Sequence, residues 1–396
     1  MTNTLSEMFA VPNENRLPFE RRQRRAHEGV RVIVTGQVGL DKKPFLESVA
    51  ALARAAGHEV ELFHVGERMC AEAPDVAPRR ILDLPRQRLT AIRRSVFKDI
   101  LAAAAAGVNM IVNTHATFRW KHGLFHAYDH AQLQALDADM YVTLVDDVDA
   151  VHERLEREHD IQHSLKDILV WREEEMVVTE AMAEAVAGYG HAFVLSRGNP
   201  EINTKALYRL MFEPHRKRVY PSFPMTHVLD QPAILADIDA FRNELAASFI
   251  TFDPGDLDEK RLLHEASVAT QQGRQTVTIR VNHRDVTLDV GEINRVARDI
   301  DGQIYARDFK LIEQSDMIVS YIPARPDGRP VLSSGVEREL QHAFECTKEV
   351  FVVWRPDTEP SPFITETATG VFRNLGDLFE HFVNRGYLPA YQRRLN

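Results

Sequence analysis

The chain has 396 residues, with 48 Lys plus Arg against 58 Asp plus Glu and a net charge of −10. Apolar residues make up 44% and charged residues 27%, so the chain can build two or three cores and is not mainly disordered. The acidic balance gives no support to nucleic-acid binding over the whole surface, and two distant cysteines, Cys70 and Cys346, exclude a disulfide framework or a Cys-rich zinc site and fit a reducing compartment.

In chain order, residues 1–29 read as a polar arm whose basic run, Arg21, Arg22, Arg24 and Arg25, is a solvated segment without a signal-peptide core. Residues 30–35 (VRVIVT) are the β-branched run of a buried strand, 36–39 a turn, and 43–56 a helix closed at Gly57. Strands at 59–65, 109–113, 139–145 and 191–196 alternate with helices at 85–107, 150–158 and 173–187. Such alternation predicts a parallel sheet covered on both faces. The most apolar stretch, 100–112, is too short to cross a bilayer, so no membrane partner and a cytoplasmic location are expected.

A polar junction at 213–218 (EPHRKR) precedes a second alternation. A strand at 218–220 runs into a loop, followed by a helix at 234–248 and a strand at 249–253. Residues 255–295 are less regular and carry a hairpin pattern, TVTIRV…DVTLDV. A helix at 304–314, strands at 316–322 and 349–354, and helices at 335–347 and 375–384 complete the series. The fold class is α/β, with two doubly wound parallel-sheet domains at 30–212 and 216–396.

Strand, Gly-rich turn, Lys and helix form the layout of a phosphate-binding loop, whose backbone N–H groups and helix dipole hold phosphate oxygens. Gly36, Gly39 and Lys42 stand where that pattern needs them. Asp41 replaces its last Gly, and Lys43 replaces the Ser or Thr that holds Mg²⁺. A carboxylate beside a phosphate about 4 Å away costs about 4 kcal/mol at an effective dielectric of about 20, and Lys43 has no acceptor for a metal. Residues 30–200 resemble the adenylate-kinase-like P-loop nucleotide kinases, through this loop, FHVGERM, IVNTHATFRWKHG and ADMYVTLVDDVDAVHERLERE. The resemblance implies nucleotide binding by Gly36, Gly39, Lys42 and Lys43, with ATP or another nucleotide as ligand. It makes Arg154 and Arg157 lid arginines on phosphates. Asn113 stands where that family often has a carboxylate.

His122, His126 and His130 step by four residues, as do His159 and His163. On a helix the first three would share a face, but Gly123 interrupts it and no Cys or acidic partner has matching spacing, so no metal is assigned.

In the second half, Ser334-x-x-Glu337 reads as a capping box opening a helix. Glu339 lies beyond that cap, after a loop at the carboxyl end of a parallel strand, where open α/β sheets place their ligands. A carboxylate there can attack an anomeric carbon while a second carboxyl protonates the leaving group. Residues 216–396 resemble the nucleoside 2-deoxyribosyltransferase family, including its nucleotide N-glycosidase branch. The match runs through VYPSFPMT, RDFKLIEQSDMIVSYI, the set Ser333, Gly335, Val336, Glu339, Leu340 and Ala343, KEVFVVW and TGVFRNLGDLFEHF. The resemblance implies a flavodoxin-like fold, with Glu339 as nucleophile on C1′, Asp308 in the sugar and base pocket, and Asp316 as a less settled second carboxylate. It puts Tyr220 on the pocket wall and Ser333, with Ser334 and Gly335, near a 5′-phosphate. Glu337 replaces a Gly of that branch.

The expected activity is therefore hydrolysis or base exchange at the N-glycosidic bond of a nucleoside or nucleotide, needing no cofactor, in a homo-oligomer. Two alternatives stand beside it: an active nucleotide kinase coupled to salvage, and a non-catalytic nucleotide sensor or defence effector in a complex.

Overall fold

The computed structural model describes residues 29–389 apart from 78–79, 121–122, 160–162, 226–227, 229–230 and 282–283. The basic run of the arm, His122 and the side chain of His159 lie outside the described residues.

The first half runs β1 (Arg31–Thr35), α1 (Lys42–Ala55), β2 (Glu61–His64), α2 (Val65–Ala71), α3 (Arg86–Ala105), β3 (Met110–Asn113), β4 (Thr117–Trp120), β5 (Gly123–His126), α4 (His130–Leu136), β6 (Met140–Val145), α5 (Val148–His159), α6 (Leu165–Val186), β7 (Ala192–Ser196) and α7 (Pro200–Phe212). Five parallel strands pair in the order β2-β3-β1-β6-β7. Val32 and Val34 enter one apolar core and Ile33 another, as a two-residue period requires of a sheet covered on both faces. β4 and β5 form a separate antiparallel pair.

The second half runs β8 (Arg218–Ser222), α8 (Pro232–Ser248), β9 (Ile250–Thr251), α9 (Glu259–Gln271), β10 (Thr276–Val281), β11 (Arg284–Asp289), α10 (Val290–Glu313), β12 (Met317–Ile322), α11 (Ser334–Glu345), β13 (Glu349–Trp354), α12 (Pro362–Thr365), β14 (Gly370–Phe372) and α13 (Leu375–Asn384). Its parallel sheet has the order β14-β13-β12-β8-β9. Counted from β8, that is the doubly wound order 2-1-3-4-5, whose switch point lies between β8 and β12.

Two local expectations change, and the interruption expected among the histidines is found. The helix expected from 304 begins fourteen residues earlier: Asp289 caps α10 by accepting from Glu292 N–H, and Val290, Ile293, Val296, Ile300 and Ile304 carry its buried face. The polar stretch around Gly302 conceals that continuity in the sequence. The histidine face does not form, because His126 ends β5 and His130 opens α4, which Asp129 caps afresh. The cap of α11 is Ser333, which accepts from Val336 N–H at 3.3 Å, so the Ser334–Glu337 capping box is not made.

The halves share a core. Phe193 of β7 stacks on Phe252, with centroids 6.2 Å apart, and Gln314 bonds both the N–H and the carbonyl of Val194, at 2.9 and 2.8 Å. At the centre, Arg172 of α6 meets Glu259 of α9 at 2.6 Å, and Glu259 also accepts from Val148 N–H at 3.2 Å. Glu259 is 1% exposed. Burial opposes its ionisation, yet the Arg172 and Arg307 guanidinium groups hold its carboxyl below the usual range. Among the described residues, no helix is long and apolar enough to cross a membrane.

Removing this carboxylate takes the paired charge from buried Arg172, which keeps only the neutral acceptors Gln303 and Asp146 O, and one of two carboxylates from Arg307. Glu259→Ala should cost about 3–5 kcal/mol in urea unfolding, as for other broken buried pairs. A loss below about 1 kcal/mol would show that the joint is solvated.

Candidate active site

Tyr220 and Ser222 alternate onto one face of β8, with Ile318 and Ser320 beside them on β12 in the same register. This face looks toward α10 and α11, which bring Asp308 and Glu339 to it. Glu339 accepts from Ser222 Oγ at 2.6 Å, and Ser320 Oγ lies 3.4 Å from Ser222 Oγ. Burial pushes the Glu339 carboxyl up to about 8, against the Ser222 hydrogen bond, and the charge of Asp308 adds to the rise. Asp308, 7% exposed, is raised to about 6 by burial, with Arg307 opposing. Tyr220 is fully buried; burial, then Glu339 and Asp308, drive its hydroxyl well above the ordinary tyrosine range. The sheet's switch point thus gathers Glu339, Asp308 and Tyr220, with Ser222.

Arg307 organises the rim. Its Nε lies 3.5 Å from Asp308 and its Nη1 lies 3.6 Å from Glu259. Its charge also acts on Asp147 of the first half, whose pKa burial raises well above the ordinary carboxylate value. Asp147 in turn accepts from Asp258 N–H at 2.8 Å. The first half therefore contributes to the field around this cluster.

Asp316 is elsewhere. It precedes β12 and grips Arg218 at the start of β8, through Arg218 N–H at 2.8 Å and its guanidinium. Ser320 lies four residues further along, roughly 13 Å at strand rise. Burial opposes ionisation of Asp316, but Arg218 holds its pKa below the ordinary value. It is corrected from a second carboxylate of the site to a clamp between strands. Ser333 caps α11, while Ser334 and Gly335 lie exposed in its first turn, before Glu339. Ser222, Ser320 and Arg307 were missed as site residues; the i, i+2 pairing of Tyr220 with Ser222 was the available signal.

The loop after β1 is a second feature. Asp41 takes the left-handed conformation, φ 50°, where the pattern places Gly. Gly36 has φ 131°, and a Cβ there would lie 2.4 Å from Leu40 Cδ1 and 2.7 Å from the Leu144 carbonyl. The loop's cations are turned inward or paired. Lys42, 7% exposed, donates to Gly36 O at 2.6 Å, and burial lowers its pKa to about 8. Gly36 N–H is bonded to Glu175, which also accepts from Ala116 and Thr117 N–H. Lys43 pairs with Glu67 at 2.8 Å. The expected lid arginines are committed elsewhere: Arg154 to Gly39 O at 2.9 Å and Asp146 at 2.7 Å, Arg157 to Glu153 and Glu158. Asn113 bonds His64 at 3.0 Å. A phosphate here would have to draw Lys42 away from Gly36 O.

No family model and no curated protein matches the chain. Among solved structures, it is similar to a shikimate kinase from Bacteroides thetaiotaomicron, 15% identical over 46% of this chain and 97% of that one, with a TM-score of 0.29. It is also similar to a gluconokinase from Sinorhizobium meliloti 1021, 14% identical over 55% of this chain and 99% of that one, with a TM-score of 0.26. No chemistry is carried over from either.

The raised carboxyls have a thermodynamic signature. The folded chain keeps protons on Glu339 and Asp308 that the unfolded chain loses near pH 4, so their presence lowers stability as pH climbs toward 8. Glu339→Gln should therefore stabilise the protein at pH 8 by up to about 5 kcal/mol, at about 1.4 kcal/mol per pKa unit, with the gap closing near pH 4. Equal gaps at the two pH values in urea unfolding would contradict an enclosed carboxyl.

Proposed function

We propose that the second half cleaves the N-glycosidic bond of a nucleoside or nucleotide, with Glu339 as nucleophile and Asp308 as its carboxyl partner. The observation that carries this reading is the convergence of both carboxyls, each with a raised pKa, at the β8/β12 switch point. Burial is the first cause of both rises, and the charge of Asp308 adds to that of Glu339.

The chemistry needs one carboxyl ionised and the other protonated. Breaking the C1′–N bond builds positive charge on the sugar, which favours an ionised carboxylate at C1′. Glu339, oriented through the Ser222 hydroxyl, forms a bond from one carboxyl oxygen to C1′ as the bond to the base breaks. Asp308, in its protonated form, gives its proton to the departing base nitrogen and takes one back from the water that follows. Water then attacks C1′ and releases the sugar; a second base in its place gives exchange. Tyr220 fixes the wall behind the carboxylates. The first turn of α11, with Ser333, Ser334 and Gly335, supplies N–H donors for a 5′-phosphate. In this reading residues 30–212 bind a nucleotide, and residues 216–396 hold the reaction.

The test is release of free base, followed by chromatography, from nucleoside monophosphates, deoxynucleosides and NAD. Release should follow a bell-shaped pH profile with limbs near 6 and 8. Glu339→Ala should abolish it, and Asp308→Asn should slow it by about 100-fold or more. Asp316→Asn should weaken folding and leave kcat within a few-fold. No free base from any of these substrates would refute the proposal.

A further inference from the structure

Helices α10 and α11 meet again on the far side of the carboxylate pair. Glu313, the last residue of α10, His342 of α11 and Cys346, which caps the end of α11, bring one ligand atom each within 4.8 Å of one another. His342 Nε2 lies 3.3 Å from Glu313 Oε1 and 3.6 Å from Cys346 Sγ. Nε2 can donate to Glu313 or accept from the Cys346 thiol, but cannot do both at once. The two distances suit a metal instead. With Zn–N and Zn–O bonds near 2.0–2.2 Å and Zn–S near 2.3 Å, the edges of a tetrahedron are about 3.3 Å for N to O and about 3.6 Å for N to S. The imidazole is already oriented: it stacks on Phe309 of α10, centroids 4.0 Å apart and planes 8° apart.

We propose that Glu313, His342 and Cys346 bind a divalent transition metal of the zinc type. Thiolate, imidazole and carboxylate together favour Zn²⁺ over Ca²⁺ or Mg²⁺, which take all-oxygen sites. Binding releases the thiol proton of Cys346. Three protein ligands leave a fourth position for water. Glu313 and Cys346 border a cavity of about 500 Å³ between the halves, which Lys217, Arg218, Lys310 and Lys348 also line. The metal would tie α10 to α11, the helices that carry Asp308 and Glu339. The site does not depend on the glycosidic reading, and its test is independent of base release.

The experiment is titration of the reduced, chelator-stripped full chain with Co²⁺, a spectroscopic probe for zinc sites. One Co²⁺ per chain should bind, with a thiolate-to-metal charge-transfer band. Cys346→Ser should remove that band, His342→Ala should abolish binding, and Glu313→Gln, at the exposed end of the site, should weaken binding at least tenfold with the fold unchanged by circular dichroism. The chain has only two cysteines, so Cys70→Ser is the control and should leave the band intact. Absence of the band from the parent protein, its persistence in Cys346→Ser, or unchanged affinity in Glu313→Gln would overturn the proposal.

Discussion

Keeping a carboxyl out of water is expensive, and the second half is arranged around one such group. Glu339 stands where β8 and β12 diverge, held by Ser222 and faced by Tyr220. Desolvation of the charge is the largest influence on its pKa and overrides the hydrogen bond from Ser222. A stability-driven sequence would place an apolar side chain there. Retaining an acid at such a cost is the usual mark of a reaction centre.

The halves are joined through a related device of opposite sign. Glu259 is more deeply buried than Glu339, but Arg172 and Arg307 surround it and keep it ionised. Arg307 also lies beside Asp308, so the joint between the halves and the carboxylate pair share one cation. A shift of the first half against the second would move the charge balance of the site. The loop at Gly36–Lys42 is a different matter. Gly36, Gly39 and Asp41 hold positive φ there, while Lys42 and Arg154 serve internal carbonyls.

Much of this was legible in the sequence. The β-branched runs gave the parallel strands, and α13 falls at the residues read for it. Glu339 was named from its place after a parallel strand and Asp308 and Tyr220 from the resemblance, and the three come together. Asp316 came from the resemblance, although a strand read at 316–322 puts it at the strand's start; there it pairs with Arg218 at the start of β8. Arg154 was misread because a helical arginine looks the same whether it faces a phosphate or a buried aspartate. Glu259, Arg307 and the Glu313–His342–Cys346 group were invisible as partners, since contacts between distant segments leave no local period to detect.

The most direct measurement is mapping of the covalent intermediate. Protein mixed with a nucleoside monophosphate and quenched in acid can be digested and its peptides weighed. The account predicts a sugar-phosphate ester on the carboxyl of Glu339. An ester on another residue, or base accumulating with no ester on any peptide, would contradict it.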